Sequence, residues 1–187
     1  MTDAETKSHW SHILGEAMSG SLRGAQLEAL PAVMTDWDRW RRDHPNTTVL
    51  NMPRTAQEFR RDFYKDPARF VLGMAGGGKA RAWPFDWLVN QPVVNDHFDG
   101  EPILLAFDKP TGGGYSYSRR LDEETLEFGL DDGKLVDKQT RSRWDPSSGR
   151  AVEGPLAGKQ LRPVVAIISF RQAWEAFHPE SAYWKPE

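Results

Sequence analysis

The chain has 187 residues, with 24 Lys and Arg against 27 Asp and Glu, a formal net charge of −3 and no cysteine. That length can build one substantial core or two small ones, and the charge excludes a general attraction to nucleic acid or anionic membrane. Disulfides, thiolate catalysis and cysteine-ligated metals are excluded for this chain. No run approaches the roughly 18 apolar residues of a helical membrane span.

The polar, acidic start Met1-Thr2-Asp3-Ala4-Glu5 is not a signal peptide. Leu14 to Leu22 then leads through Arg23-Gly24 into Ala25 to Leu30. A Gly in a short loop between two apolar-rich runs predicts a tight hairpin. Thr35 is a good N-cap, and Asp38 three residues on resembles a capping box. A short helix is therefore expected over Asp36 to His44, stopped by Pro45. Residues 51–70 show little periodicity and are expected to be a connection.

Hairpins dominate the middle of the chain. Val71 to Ala75 is predicted to pair with Lys79 to Trp83 across Gly76-Gly77-Gly78, and Phe85 to Asn90 to form a short helix. Val93 to Phe98 should pair with Glu101 to Phe107 across Asp99-Gly100, a strong hairpin signal. Tyr115 to Arg120 is expected to meet Thr125 to Leu130, which meets Lys134 to Val136 across Asp132-Gly133.

From Asp137 onward the opening of the chain recurs. Residues 3–50 align with 137–184 at a constant offset and without a gap, giving 15 identities in 48 positions, where composition alone gives about three. Asp3, Thr6, Ser8, Trp10, Gly20, Leu22, Gly24, Leu27, Trp40 and His44 return as Asp137, Thr140, Ser142, Trp144, Gly154, Leu156, Gly158, Leu161, Trp174 and His178. The second unit predicts a hairpin and then a helix over Phe170 to His178, capped by Ser169 with Gln172 three residues on and stopped by Pro179. The fold class expected is α+β, mainly antiparallel hairpins with short helices. Three parts follow: unit one over 1–50, the connection over 51–70, and a second half over 71–187 with a hairpin meander and unit two.

Several short motifs resemble one known family. Val71-Leu72-Gly73, Ala80-Arg81-Ala82-Trp83-Pro84, Val94-Asn95-Asp96, Gly100-Glu101-Pro102, Phe128 with Gly133, Thr140 to Trp144, the run Gly149 to Gly158, and Trp174 with His178-Pro179 keep its order and spacing. On these the chain is similar to the prokaryotic domain of unknown function numbered 3179. Ser8 to Ala17 and Trp37 to Val49 resemble the end of an earlier half in the same family. The resemblance implies a two-half protein whose earlier half carries its own front portion, commonly with a Cys-x-x-Cys pair. It implies that this chain lacks most of that portion, which can also carry an export signal. It brings no established activity, and the compartment stays open.

Candidate chemistry is sparse. Gly73 to Ala80 nearly matches a phosphate-binding loop, but Ala80 replaces the Mg²⁺-binding hydroxyl and Pro84 follows too soon for the helix, so a turn is expected. His9 and His12 form a metal-like pair, two ligands where a stable site needs three or four. The second unit has Arg143 and Pro146 there. His44 and His178 suit helix C-termini. Asn95, Asp96 and His97 precede a turn; Asp96 beside His97 has acid–base character, but strand neighbours face opposite ways.

No reaction is named by these residues. The reading they support is a non-catalytic binding or interaction module with its site near Trp10, Asn95, Asp96 and His97. Its partner is a small molecule, a glycan or a protein. The alternative is a metal-binding protein or metal-dependent enzyme holding a divalent metal on His9 and His12. Self-association through an unpaired strand edge near residues 1–10 is a third expectation.

Overall fold

A computed structural model describes residues 1–33, 35, 37–49 and 66–186. The expected connection over 51–70 lies mostly outside the described residues, as does Asp36, the expected start of the first helix. The architecture is β-rich, with short helices at the ends of units.

Unit one opens with β1 (His9–Trp10) and β2 (Ala17–Ser19), an antiparallel pair, and continues to helix α1 (Trp37–Asp43). A 3-10 turn at Pro67–Arg69 then feeds β3 (Phe70–Gly76). β3 pairs with β4 (Lys79–Pro84) in the predicted hairpin, and α2 covers Phe85–Leu88. β5 (Val93–Phe98) and β6 (Glu101–Asp108) close across Asp99-Gly100, where φ is +49° and +80°. Two consecutive positive φ values fit the right-handed twist of a two-residue hairpin.

The third predicted hairpin is corrected. β7 (Gly113–Ser118) pairs with β6, not with the strand after it. Only the short β8 (Arg120–Leu121) and β9 (Glu124–Thr125) meet each other, before β10 (Phe128–Asp131) pairs with β11 (Lys134–Asp137). The Asp108–Gly113 turn, where Gly112 has φ +68° and its N–H donates to the Asp108 carbonyl at 2.8 Å, folds β7 back on β6, and just beyond β7 stands Arg119. Its buried guanidinium donates from Nε to the Ile103 carbonyl at 3.1 Å and from Nη1 to the Leu126 carbonyl at 2.9 Å. Arg119 also pairs with Glu127.

β12 (Arg143–Asp145) and β13 (Arg150–Glu153) complete the sheet β10-β11-β12-β13. β14 (Ile167–Phe170) joins β3, and helix α3 (Arg171–Phe177) leads to β15 (Ala182–Tyr183). β15 lies parallel to β4. The sheet β14-β3-β4-β15 is therefore mixed, in an architecture otherwise antiparallel among the described strands, against the expectation of mainly antiparallel hairpins. Ser169 is a strand residue rather than an N-cap: Phe170 occupies the cap position with no side-chain bond, and α3 starts one residue later than predicted.

Two large clusters and a smaller one form the core. Phe70, Leu72, Trp83, Phe85, Leu88 and Leu105 centre the first. Leu104, Tyr115, Tyr117, Phe128, Trp144 and Leu161 centre the second. Trp174 packs on Val71 and Ala82 in the third, directly over Gly73.

Candidate functional site

The repeated residues form the same polar knot twice. In unit one the Thr6 backbone N–H donates to Asp3 Oδ1 at 2.6 Å, Thr6 Oγ1 to Asp3 Oδ2 at 2.7 Å, and Trp10 Nε1 to Asp3 Oδ2 at 3.1 Å. The Leu22 N–H donates to Ser8 Oγ at 3.2 Å. In unit two Thr140 N, Thr140 Oγ1 and Trp144 Nε1 donate to Asp137 at 2.6, 2.9 and 3.0 Å, and the Leu156 N–H to Ser142 Oγ at 3.0 Å. Gly20 and Gly154 close each knot at φ +97° and +93°; a Cβ on either would fall within 3 Å of Ser8 or Ser142. The identities are thus explained: each Asp orients a Trp, and each Gly admits a Ser. Helix ends repeat as well, with Trp40 Nε1 donating to Thr47 Oγ1 and Trp174 Nε1 to Ser181 Oγ.

Electrostatics follow from the knot. Hydrogen bonds from the Thr6 hydroxyl and then the Thr6 N–H hold the Asp3 carboxyl well below the ordinary 3.8.

What differs between the units is the cover over the Trp. Leu135, Trp144, Ala151 and Leu161 of unit two are buried under Leu126 and Phe128. Phe128 meets Trp144 edge-on at 5.7 Å. The covering segment is fastened along its backbone: Lys138 N donates to the Glu127 carbonyl at 2.7 Å, and the Gln139 side chain accepts from Glu127 N and donates to the Thr125 carbonyl. In unit one Met1, Trp10 and Leu27, the counterparts of Leu135, Trp144 and Leu161, line an open groove of about 450 Å³ together with Leu22, with Thr2 to Thr6 along one wall, while Ala17, the counterpart of Ala151, is buried. Leu161 is 0% exposed and Leu27 50%; Leu135 is 4% exposed and Met1 58%. Among the described residues, nothing occupies in unit one the place that β10 takes in unit two.

The structure brings Trp10 and His9 to adjacent positions on β1, but Asn95, Asp96 and His97 lie elsewhere, on β5. His9 is exposed, its Nδ1 3.1 Å from Thr2 Oγ1, and His12 is exposed on the turn after β1. Among the described residues no group of three or more His, Asp or Glu side chains is placed to share a metal ion. Asn95 clips β5 to β10, accepting from Phe128 N at 2.9 Å and donating to the Phe128 carbonyl at 2.8 Å. Asp96 accepts from Trp83 Nε1 at 2.9 Å and pairs with Arg81 at 2.8 Å. His97 is exposed and meets Asp96 through its own backbone N–H.

A second polar convergence was not legible in sequence. Arg39 of α1 donates to Asp108 Oδ2 at 2.8 Å and lies 3.9 Å from Asp145. Thr111 Oγ1 donates to the same Asp108 oxygen. Burial alone would raise the Asp145 carboxyl, but hydrogen bonds from Ser148 and Ser147, with the Arg39 charge, hold it low. Burial pushes the Tyr115 hydroxyl up. Ala173 stands where Arg39 would recur, so this clasp is peculiar to unit one and ties its helix to the second half.

No curated protein and no solved structure matches the chain. The model of the family described as "Protein of unknown function (DUF3179)" matches it twice, over residues 1–70 and 66–185. The doubled knot and the doubled match have the same origin, and the chain belongs to the DUF3179 family.

Proposed function

We infer that this protein is a non-catalytic binding module and that it binds through the open groove of unit one, around Trp10. One observation carries the reading: the same hairpin occurs twice, and among the described residues its apolar face is covered in one copy and lines an open groove in the other. The knot holds the Trp10 indole by its N–H, so the ring is oriented before any ligand arrives. A preoriented aromatic platform loses little conformational entropy on binding.

The test is a panel of glycans and of extended and helical peptides, followed by Trp fluorescence and calorimetry, on wild type and Leu27→Glu. Leu27 is half exposed, so the variant keeps its fold while placing a charge in the groove. Saturable binding lost in Leu27→Glu is the expected result. If no class distinguishes the two proteins, the groove is not a binding site. A second reading, a divalent metal on His9 and His12, draws on their shared exposure on one short segment. Zinc calorimetry on wild type and a His9→Ala/His12→Ala variant decides it: stoichiometric zinc lost in the variant favours it, and no zinc uptake removes it.

A further inference from the structure

We propose that the second half carries a separate ligand site, the cleft between the sheets β5-β6-β7 and β10-β11-β12-β13, and that it takes a small apolar carboxylate. This site goes beyond the groove around Trp10 and does not depend on it.

The cleft follows from how the two sheets are joined. The Asn95 side chain on β5 binds both the N–H and the carbonyl of Phe128 on β10. At this clip the sheets are closed, and Phe128 is 2% exposed. Side chains two apart on a strand share a face. Val93 therefore lies on the Asn95 face of β5, and Leu130 on the Phe128 face of β10. Leu130 is 50% exposed, so the sheets have parted within two residues of the clip. The gap is a cavity of about 380 Å³, a size common among small-ligand sites. Val93 and Ala106, cross-strand partners on β5 and β6, line one side. Leu130, Leu135 and Trp144, neighbours across β10, β11 and β12, line the other. Both sides are built from strands well inside the chain.

The charges at the cleft select the ligand. Lys134, Arg143 and Glu153 also line it. Arg143 Nη1 binds Glu153 Oε2 at 2.8 Å, so these two charges offset each other. Asp131, which stands opposite Lys134 in the β10–β11 register, is engaged by Arg141. Asp132 of the intervening turn does not line the cleft. Lys134 is exposed and has no ion pair among the described residues. An apolar cleft with one uncompensated ammonium complements a ligand with an apolar body and a single negative charge. The lysine stem is flexible and brings its ammonium to a carboxylate without demanding one orientation. A dianionic phosphate would meet a single free cation and the nearby Glu153 carboxylate, so a monoanion is the better match.

The probe is octanoate, titrated into the intact chain and followed by amide and indole NMR. Octan-1-ol and octylammonium serve as its uncharged and cationic counterparts. Expected are saturable shifts at Val93, Leu130, Lys134, Trp144 and Val152, with octanoate the tightest of the three. Lys134→Ala should weaken octanoate about threefold and leave octan-1-ol unchanged. Leu130→Glu, at a half-exposed position, places a second carboxylate in the cleft and should weaken octanoate about tenfold. Val152→Glu, 55% exposed, repeats that test from β13. If none of the three probes gives saturable shifts at these residues, the cleft is not a site. Octan-1-ol or octylammonium binding as tightly as octanoate, or octanoate binding unchanged in Lys134→Ala, would overturn the carboxylate assignment. Failure here leaves the groove reading standing, because ligands of the groove shift Trp10 and Leu27 instead.

Discussion

The asymmetry between the two units can be measured with one substitution made twice. Leu27 and Leu161 are the same position of the repeat, 50% and 0% exposed. Leu161→Ala removes a buried side chain from a cluster with Trp144, Phe128 and Tyr117; the transfer and cavity terms together should cost about 3 kcal/mol. Leu27→Ala removes methyl groups already half in water and should cost about 0.5 kcal/mol. For a chain of this size each kcal/mol moves Tm by about 2–4 °C, so the pair should differ by roughly 5–10 °C. Urea unfolding at unchanged m is the better assay, because it separates stability from altered compactness. Equal losses at the two positions would refute the reasoning, since they would mean that Leu27 is covered in solution.

Further predictions concern the shared interior, the sheet and pH. Gly20→Ala and Gly154→Ala should destabilise the protein by similar amounts, about 2 kcal/mol each, because both glycines have positive φ and both face a Ser backbone; a loss in only one unit, read by urea melts, would mean the knots differ. Gly73→Ala would place a Cβ 2.4 Å from the buried Trp174 ring and should cost about 3 kcal/mol. Gly76→Ala on the same strand meets nothing within 4 Å and should be near neutral; thermal melts compare the two. The depressed Asp3 carboxyl stabilises the folded first knot above the unfolded value of 3.8, and this contribution is lost as pH falls below it. The Trp10 indole N–H signal should therefore collapse on acidification, and Asp3→Asn should abolish that pH dependence; a signal indifferent to pH would remove the assigned role of Asp3.

The local, twice-written features were legible in sequence. The repeat, the hairpins at Asp99-Gly100 and Asp132-Gly133, and the short helices ending before Pro45 and Pro179 all rest on contacts between residues close along the chain, whereas the hairpin expected across Arg23-Gly24 is reduced to the single bridge Glu16–Gln26, the units' strand hairpins being β1–β2 and β12–β13. The bonds of the knot span at most 14 positions, so the residues that make them recur together as identities. Other features depended on pieces that are distant in sequence. Phe128 covers Trp144 while Trp10 stays open, although the two Trp residues are the same repeat position. β15 adds in parallel to β4, a strand far back along the chain. The partners of Asn95 and Asp96, the Phe128 backbone and the Trp83 indole, come from other strands. Periodicity and spacing report which face of an element is apolar. Which faces meet is a matter of tertiary packing.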